Sequence, residues 1–161
     1  MTKNDDQTSD RIEKQIVLKA PIARVFRALT DPTEFGAWFG VRFHSGSFEP
    51  GSTLLGKITE PPGYEHLEWT AVVDRVEPPR FMSYRWRPYA IDPGVDYSNE
   101  PMTLVSFELS EVPEGTHLRI TESGFDGIPS ARRAEAFRSN SRGWEIQASH
   151  LEKYLASTQT R

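Results

Sequence analysis

The chain contains no cysteine. That absence removes disulfides, thiolate metal ligands and cysteine nucleophiles together, and it favours a reducing compartment. Nor is there an apolar run approaching the ~20 residues needed to span a bilayer. Residues Met1 to Asp10, MTKNDDQTSD, are polar where a secretory signal requires an apolar segment. The expectation is a cytoplasmic protein without a membrane partner. An excess of positive charge is missing as well: 19 basic residues face 23 acidic ones, for a net charge of −4. Such a balance has no general attraction for phosphate backbones or anionic lipid, so nucleic acid is not an expected partner. The four histidines, His44, His66, His117 and His150, lie far apart and never pair at metal-ligand spacing, so no metal site is expected. No serine sits in a Gly-x-Ser-x-Gly elbow and no glycine-rich phosphate loop occurs, which weighs against hydrolase and nucleotide-binding chemistry. Nothing in the pattern implies a cofactor.

What is present is the material of one domain. The 161 residues show no internal shift of composition and no repeats. A chain near this length buries roughly 70% of its unfolded surface and folds without staples. Residues 1–10 read as a disordered tail, 11–156 as the domain and 157–161 as a second tail. Ile12, Ile16 and Leu18 alternate as in a strand with one buried face. After Pro21 the period changes: Ile22, Val25, Phe26 and Leu29 recur at helical spacing. Asp31-Pro32 interrupts that helix, and a second short one fits Thr33 to Trp38, closed by glycine at Gly40. Strands are then expected over 41–48, 52–59, 68–76, 81–87, 102–110 and 116–122. Pro50-Gly51, Pro61-Pro62-Gly63, Pro78-Pro79 and Glu114-Gly115 supply the reversals between them. A longer connection from Pro88 to Pro101 is either a lid or rim or a passive link. Ser130 caps a helix running to about Leu155, with Phe137, Trp144, Ala148, Leu151 and Leu155 on one stripe.

Several local patterns carry a family resemblance. They are Ala20-Pro21-Ile22 with Val25 to Pro32, Trp38-Phe39, Val76-Glu77-Pro78-Pro79 leading to Tyr84-Arg85-Trp86, Gly115-Thr116 with Leu118 to Phe125, and Gly143-Trp144. Over Ile12 to Leu155 the chain resembles the SRPBCC superfamily of START-related and birch-pollen-allergen-like domains. Within it, the chain is similar to the branch named after the activator of the ninety-kilodalton heat-shock protein ATPase. The resemblance implies an α+β helix-grip fold: a curved antiparallel sheet of about six to seven strands wrapped on a long C-terminal helix, with two short helices after the first strand. It also implies a cavity between sheet and helix. Superfamily members include lipid carriers, hormone receptors, aromatic-polyketide cyclases and co-chaperone domains, so fold alone does not choose a function. The expected role is binding of a small hydrophobic or amphipathic ligand in that cavity. The rivals are a cyclase- or hydrolase-like enzyme using the same cavity, and a co-chaperone module with a chaperone ATPase as partner.

Candidate site residues follow from strand and helix phase. Val105, Phe107 and Leu109 share one strand face, and Leu118, Ile120 and Glu122 share the next. Glu122 is the exception on an apolar face. Either it finds a partner near a functional site, or the strand bends at Ser123-Gly124 and lets it reach solvent or a structural arginine. Trp38, Trp69, Tyr84, Trp86, Phe107, Phe125, Phe137 and Trp144 supply aromatic surface that suits a pocket or a solid core equally. Asn140 and Ser141 interrupt the apolar stripe of the last helix, where a ligand's polar group could be held or the helix could run past the sheet edge. An enzyme would draw on Glu122 with Tyr84 or His150 as acid and base.

Overall fold

The computed structural model describes residues 10–60, 62–64, 66–88 and 96–158. The first nine residues of the expected N-terminal tail, and part of the connection after Pro88, lie outside them. Seven strands form one sheet: β1 (Arg11–Leu18), β2 (Val41–Ser45), β3 (Thr53–Ile58), β4 (Glu68–Glu77), β5 (Phe81–Trp86), β6 (Thr103–Val112) and β7 (Gly115–Ser123). Their spatial order is β1-β7-β6-β5-β4-β3-β2, with every pairing antiparallel. Two short helices, α1 (Ile22–Thr30) and α2 (Pro32–Phe39), connect β1 to β2. The long α3 (Ser130–Thr158) closes the chain against the inner face. This is the helix-grip α+β architecture. No helix among the described residues is long and apolar enough to cross a membrane.

The short helices owe their shape to local chemistry. Asp31 ends α1 in an extended conformation and at the same time caps α2, its carboxylate accepting the Glu34 N–H at 3.0 Å. Pro32 opens α2, where its missing N–H costs nothing. Gly40 closes α2 at φ 95°, a left-handed conformation that favours glycine.

Alternation in the strands sends Leu118, Ile120 and Glu122 from β7, Val105 and Phe107 from β6, and Met82 and Tyr84 from β5 to the inner face. The stripe of α3 meets them through Phe137, Trp144, Ala148, Leu151 and Leu155, all buried. Two bulges adjust the sheet, one between Phe43 and Ser45 and one between Val73 and Arg75. The second exchanges the inward set of β4 from odd to even positions, so that Trp69, Ala71 and Val73 are buried and Val76 then packs on the core. Beyond β7 the carboxylate of Asp10 accepts the N–H groups of Gly124 and Asp126, pinning a single 3-10 turn at Phe125–Gly127.

Candidate functional site: a carboxyl-anchored aromatic cleft

Glu122 points inward with none of its surface exposed. Neither solvent nor an arginine satisfies it. Five hydrogen bonds reach its two oxygens from four neutral side chains. The Trp86 indole N–H donates to Oε2 at 2.8 Å and the Trp144 indole N–H to Oε1 at 2.8 Å. The Thr103 hydroxyl donates to Oε2 at 2.6 Å. The Asn140 amide nitrogen spans both oxygens at 3.0 and 3.1 Å. Register explains the convergence. Glu122 lies opposite Val105, and Trp86 opposite Thr103, so Thr103 is the diagonal neighbour of Glu122 on the adjoining strand. Asn140 and Trp144 are four residues apart and descend from the same face of α3.

An indole N–H can only donate. With both indole nitrogens directed at Glu122, the ring faces and far edges of Trp86 and Trp144 are left to form a wall. They do so at the open end between sheet and helix, in a cleft of about 480 Å³ lined also by Phe39, Asn140, Ile146 and His150. Ile146 is 48% exposed there, an unusual position for a large aliphatic side chain. Two adjoining hollows of about 300 and 370 Å³ share Trp69, Trp86 and Asn140 with each other. All three have open mouths. The interior beneath is filled: Phe35 packs on Trp38, Phe39 and Trp69 at centroid distances of 4.8, 4.9 and 6.0 Å, and Phe107 meets Trp144 at 5.8 Å.

Tyr84 is fully buried and its hydroxyl has no hydrogen-bond partner among the described residues. Burial, and then the nearby Glu122 charge, push its phenol well above the usual range. Neither Tyr84 nor Glu122 lines a cleft, whereas His150 does, exposed and paired with Gln147 at 3.0 Å. The three groups considered for acid and base work therefore do not meet at a point a substrate could reach.

The remaining candidates divide. Trp69, Trp86, Asn140 and Trp144 come together around the cleft and its neighbours. Phe107 supports Trp144 from below. Trp38 is turned away, its indole donating to the Ala28 carbonyl at 2.8 Å. Phe125 and Phe137 pack on one another at 5.2 Å under the 3-10 turn. Ser141 is half-buried and lines none of the three hollows. Phe39, Gly143, Ile146 and Gln147 line the cleft without having been singled out as candidates. Their signal lay in the neighbours: Phe39 follows Trp38, and Gly143 precedes Trp144. Among the described residues no group of histidine, cysteine and carboxylate side chains could hold a metal ion.

Fold and site together define a helix-grip domain with an aromatic cleft anchored on one buried carboxyl. The family model "Activator of Hsp90 ATPase homolog 1-like protein" matches residues 19–156, and the chain belongs to that family. A search of the curated proteins gives no significant match. Among solved structures, protein MLL2253 from Mesorhizobium loti is 28% identical at a TM-score of 0.71, covering 92% of this chain and 98% of that one. A protein from Rhodobacter sphaeroides is 26% identical at a TM-score of 0.66, with coverages of 92% and 94%. DynU16, a protein in the dynemicin biosynthetic locus, shares the fold at 24% identity and a TM-score of 0.69. There the match spans 92% of this chain and 48% of that chain.

Proposed function

We propose that the protein binds a small hydrophobic or amphipathic molecule in the cleft between the sheet and α3. The observation that carries this reading is the wall of Phe39, Trp86, Trp144 and half-exposed Ile146 around a volume of about 480 Å³. Sites for small molecules are mostly apolar and concave, with a few fixed polar groups that orient the ligand. Asn140 is such a group, held in place by its two bonds to Glu122.

A titration of isotope-labelled protein with flat aromatic compounds and fatty acids, followed by the indole N–H resonances, tests it. Saturable shifts are expected at Trp86 and Trp144 and not at Trp38, whose indole faces Ala28. Replacing Trp86 by Ala removes a stacking wall and should weaken binding about tenfold. Shifts that are absent, or confined to the outer face of the sheet, would overturn the reading.

A further inference from the structure

The charge of this cleft is one-sided. Glu60 stands exposed at its mouth, and Glu122 lies directly behind both indoles, while among the described lining residues there is neither lysine nor arginine and the basic side chain is His150. Glu60 is held there by backbone: its N–H and that of Thr59 both reach the Gly40 carbonyl, at 3.3 and 2.7 Å. Its carboxylate makes no ion pair among the described residues. Lys153 lies in an adjoining hollow that shares Glu60 and His150 with the cleft and also borders Trp38 and Tyr154.

Acceptors are prominent among the polar atoms left over at the cleft. The Asn140 amide nitrogen is spent on Glu122, which leaves its carbonyl oxygen. The Gln147 amide nitrogen gives one of its two N–H groups to the Phe39 carbonyl at 2.9 Å, and its oxygen faces His150 Nδ1 at 3.0 Å. Each indole N–H bonded to a carboxyl group is polarised by it, which enriches the ring faces in electron density and deepens their attraction for a cation. An incoming carboxylate would shed water and, among the described lining residues, find no lysine or arginine to replace it.

Resting on the cleft reading above, we infer that this site selects a ligand whose apolar body carries a protonated nitrogen, an ammonium or amidinium head, over a fatty acid or any other carboxylate. The body lies along Phe39, Trp86, Trp144 and Ile146, and the head sits between the indole faces and Glu60.

Three isosteric probes test this on the intact protein at low ionic strength: 2-naphthylmethylammonium, 2-naphthylmethanol and 2-naphthoate, each followed by the Trp86 and Trp144 indole resonances. The expected order is ammonium tightest and carboxylate weakest, with the ammonium ahead of the alcohol by roughly three- to thirtyfold, the range of an aromatic–cation contact. In E60Q the ratio of ammonium to alcohol should narrow. A carboxylate that ties or leads, or a ratio that E60Q leaves unmoved, overturns the inference while leaving a binding cleft in place. Failure of all three probes to move either indole overturns the cleft reading and this inference with it.

Discussion

A carboxyl group with no exposed surface and no cation beside it has to be satisfied by neutral donors, and Glu122 draws on two indoles, a hydroxyl and an amide. The isosteric change Glu122→Gln replaces one acceptor oxygen with an NH2 group. Whichever way that amide turns, at least one indole N–H then faces a donor. The variant should lose about 1–3 kcal/mol of unfolding free energy, read as a lower urea midpoint. An unchanged midpoint would show that these bonds add nothing to the fold. Tyr84 is the opposite case. Its hydroxyl is buried without a partner among the described residues, so Tyr84→Phe removes an unmet cost and should raise stability by about 1 kcal/mol. A loss of stability instead would mean that the hydroxyl has a partner in solution. Strand phase made Glu122 visible as the odd residue on an apolar face. Its partners were not legible, because Trp86, Thr103 and Asn140 come from three other elements and only the folded register joins them.

Elements were easier to read than the contacts between them. The change from period two to period four after Pro21, the Asp31-Pro32 break and the Gly40 stop are local signals, and each corresponds to a real boundary. The bulge after Val73 had no such marker. Val-Val-Asp-Arg-Val continues an alternating pattern on either side of an extra residue, and only the pairing with Ser83 and Tyr84 shows where the phase changes. Close approach between elements was equally hidden. A Cβ on Gly36 would fall 2.1 Å from the Val41 carbonyl oxygen, because α2 lies directly on the start of β2. Gly36→Ala should therefore destabilise by about 1–3 kcal/mol despite the helical preference for alanine, as measured by chemical denaturation. Since Phe39 ends that helix, displacement of α2 should also disturb the cleft. Asp31→Ala, which removes a cap while leaving the packing intact, should cost about 1 kcal/mol and serves as the comparison.

At the scale of the molecule, one ion-pair node ties the short helices to the far end of α3. Glu34 of α2 accepts Arg24 and Arg27 of α1, each at 2.7 Å, and the Tyr154 hydroxyl of α3 at 2.8 Å. Arg24 continues to Thr158 at 2.8 Å and lies over the Tyr154 ring. The Arg24 and Glu34 side chains are only 15% and 17% exposed, so this pair is screened less than an ordinary surface bridge. Burial alone raises the Glu34 carboxyl, but hydrogen bonds from Tyr154, Arg27 and Arg24 outweigh it and bring the group below its usual 4.5. A carboxylate lowered on folding contributes stability that is fully present above its unfolded value and is lost as pH falls through the folded one. Glu34→Gln should therefore cost about 2 kcal/mol near neutral pH, where charge-assisted bonds are exchanged for neutral ones. The difference between variant and parent should then shrink as the medium is taken below the usual carboxylate range. Urea midpoints of both proteins across that span check it, and a difference that stays constant with pH would remove the charge of Glu34 from the account. The node also bears on the cleft, since Phe39 at the end of α2 meets Trp144 of α3 at 6.0 Å. Loosening α2 from α3 by acid or by substitution should weaken ligand binding before the sheet unfolds, with indole shifts at Trp144 preceding the loss of β-sheet signal in the same titration.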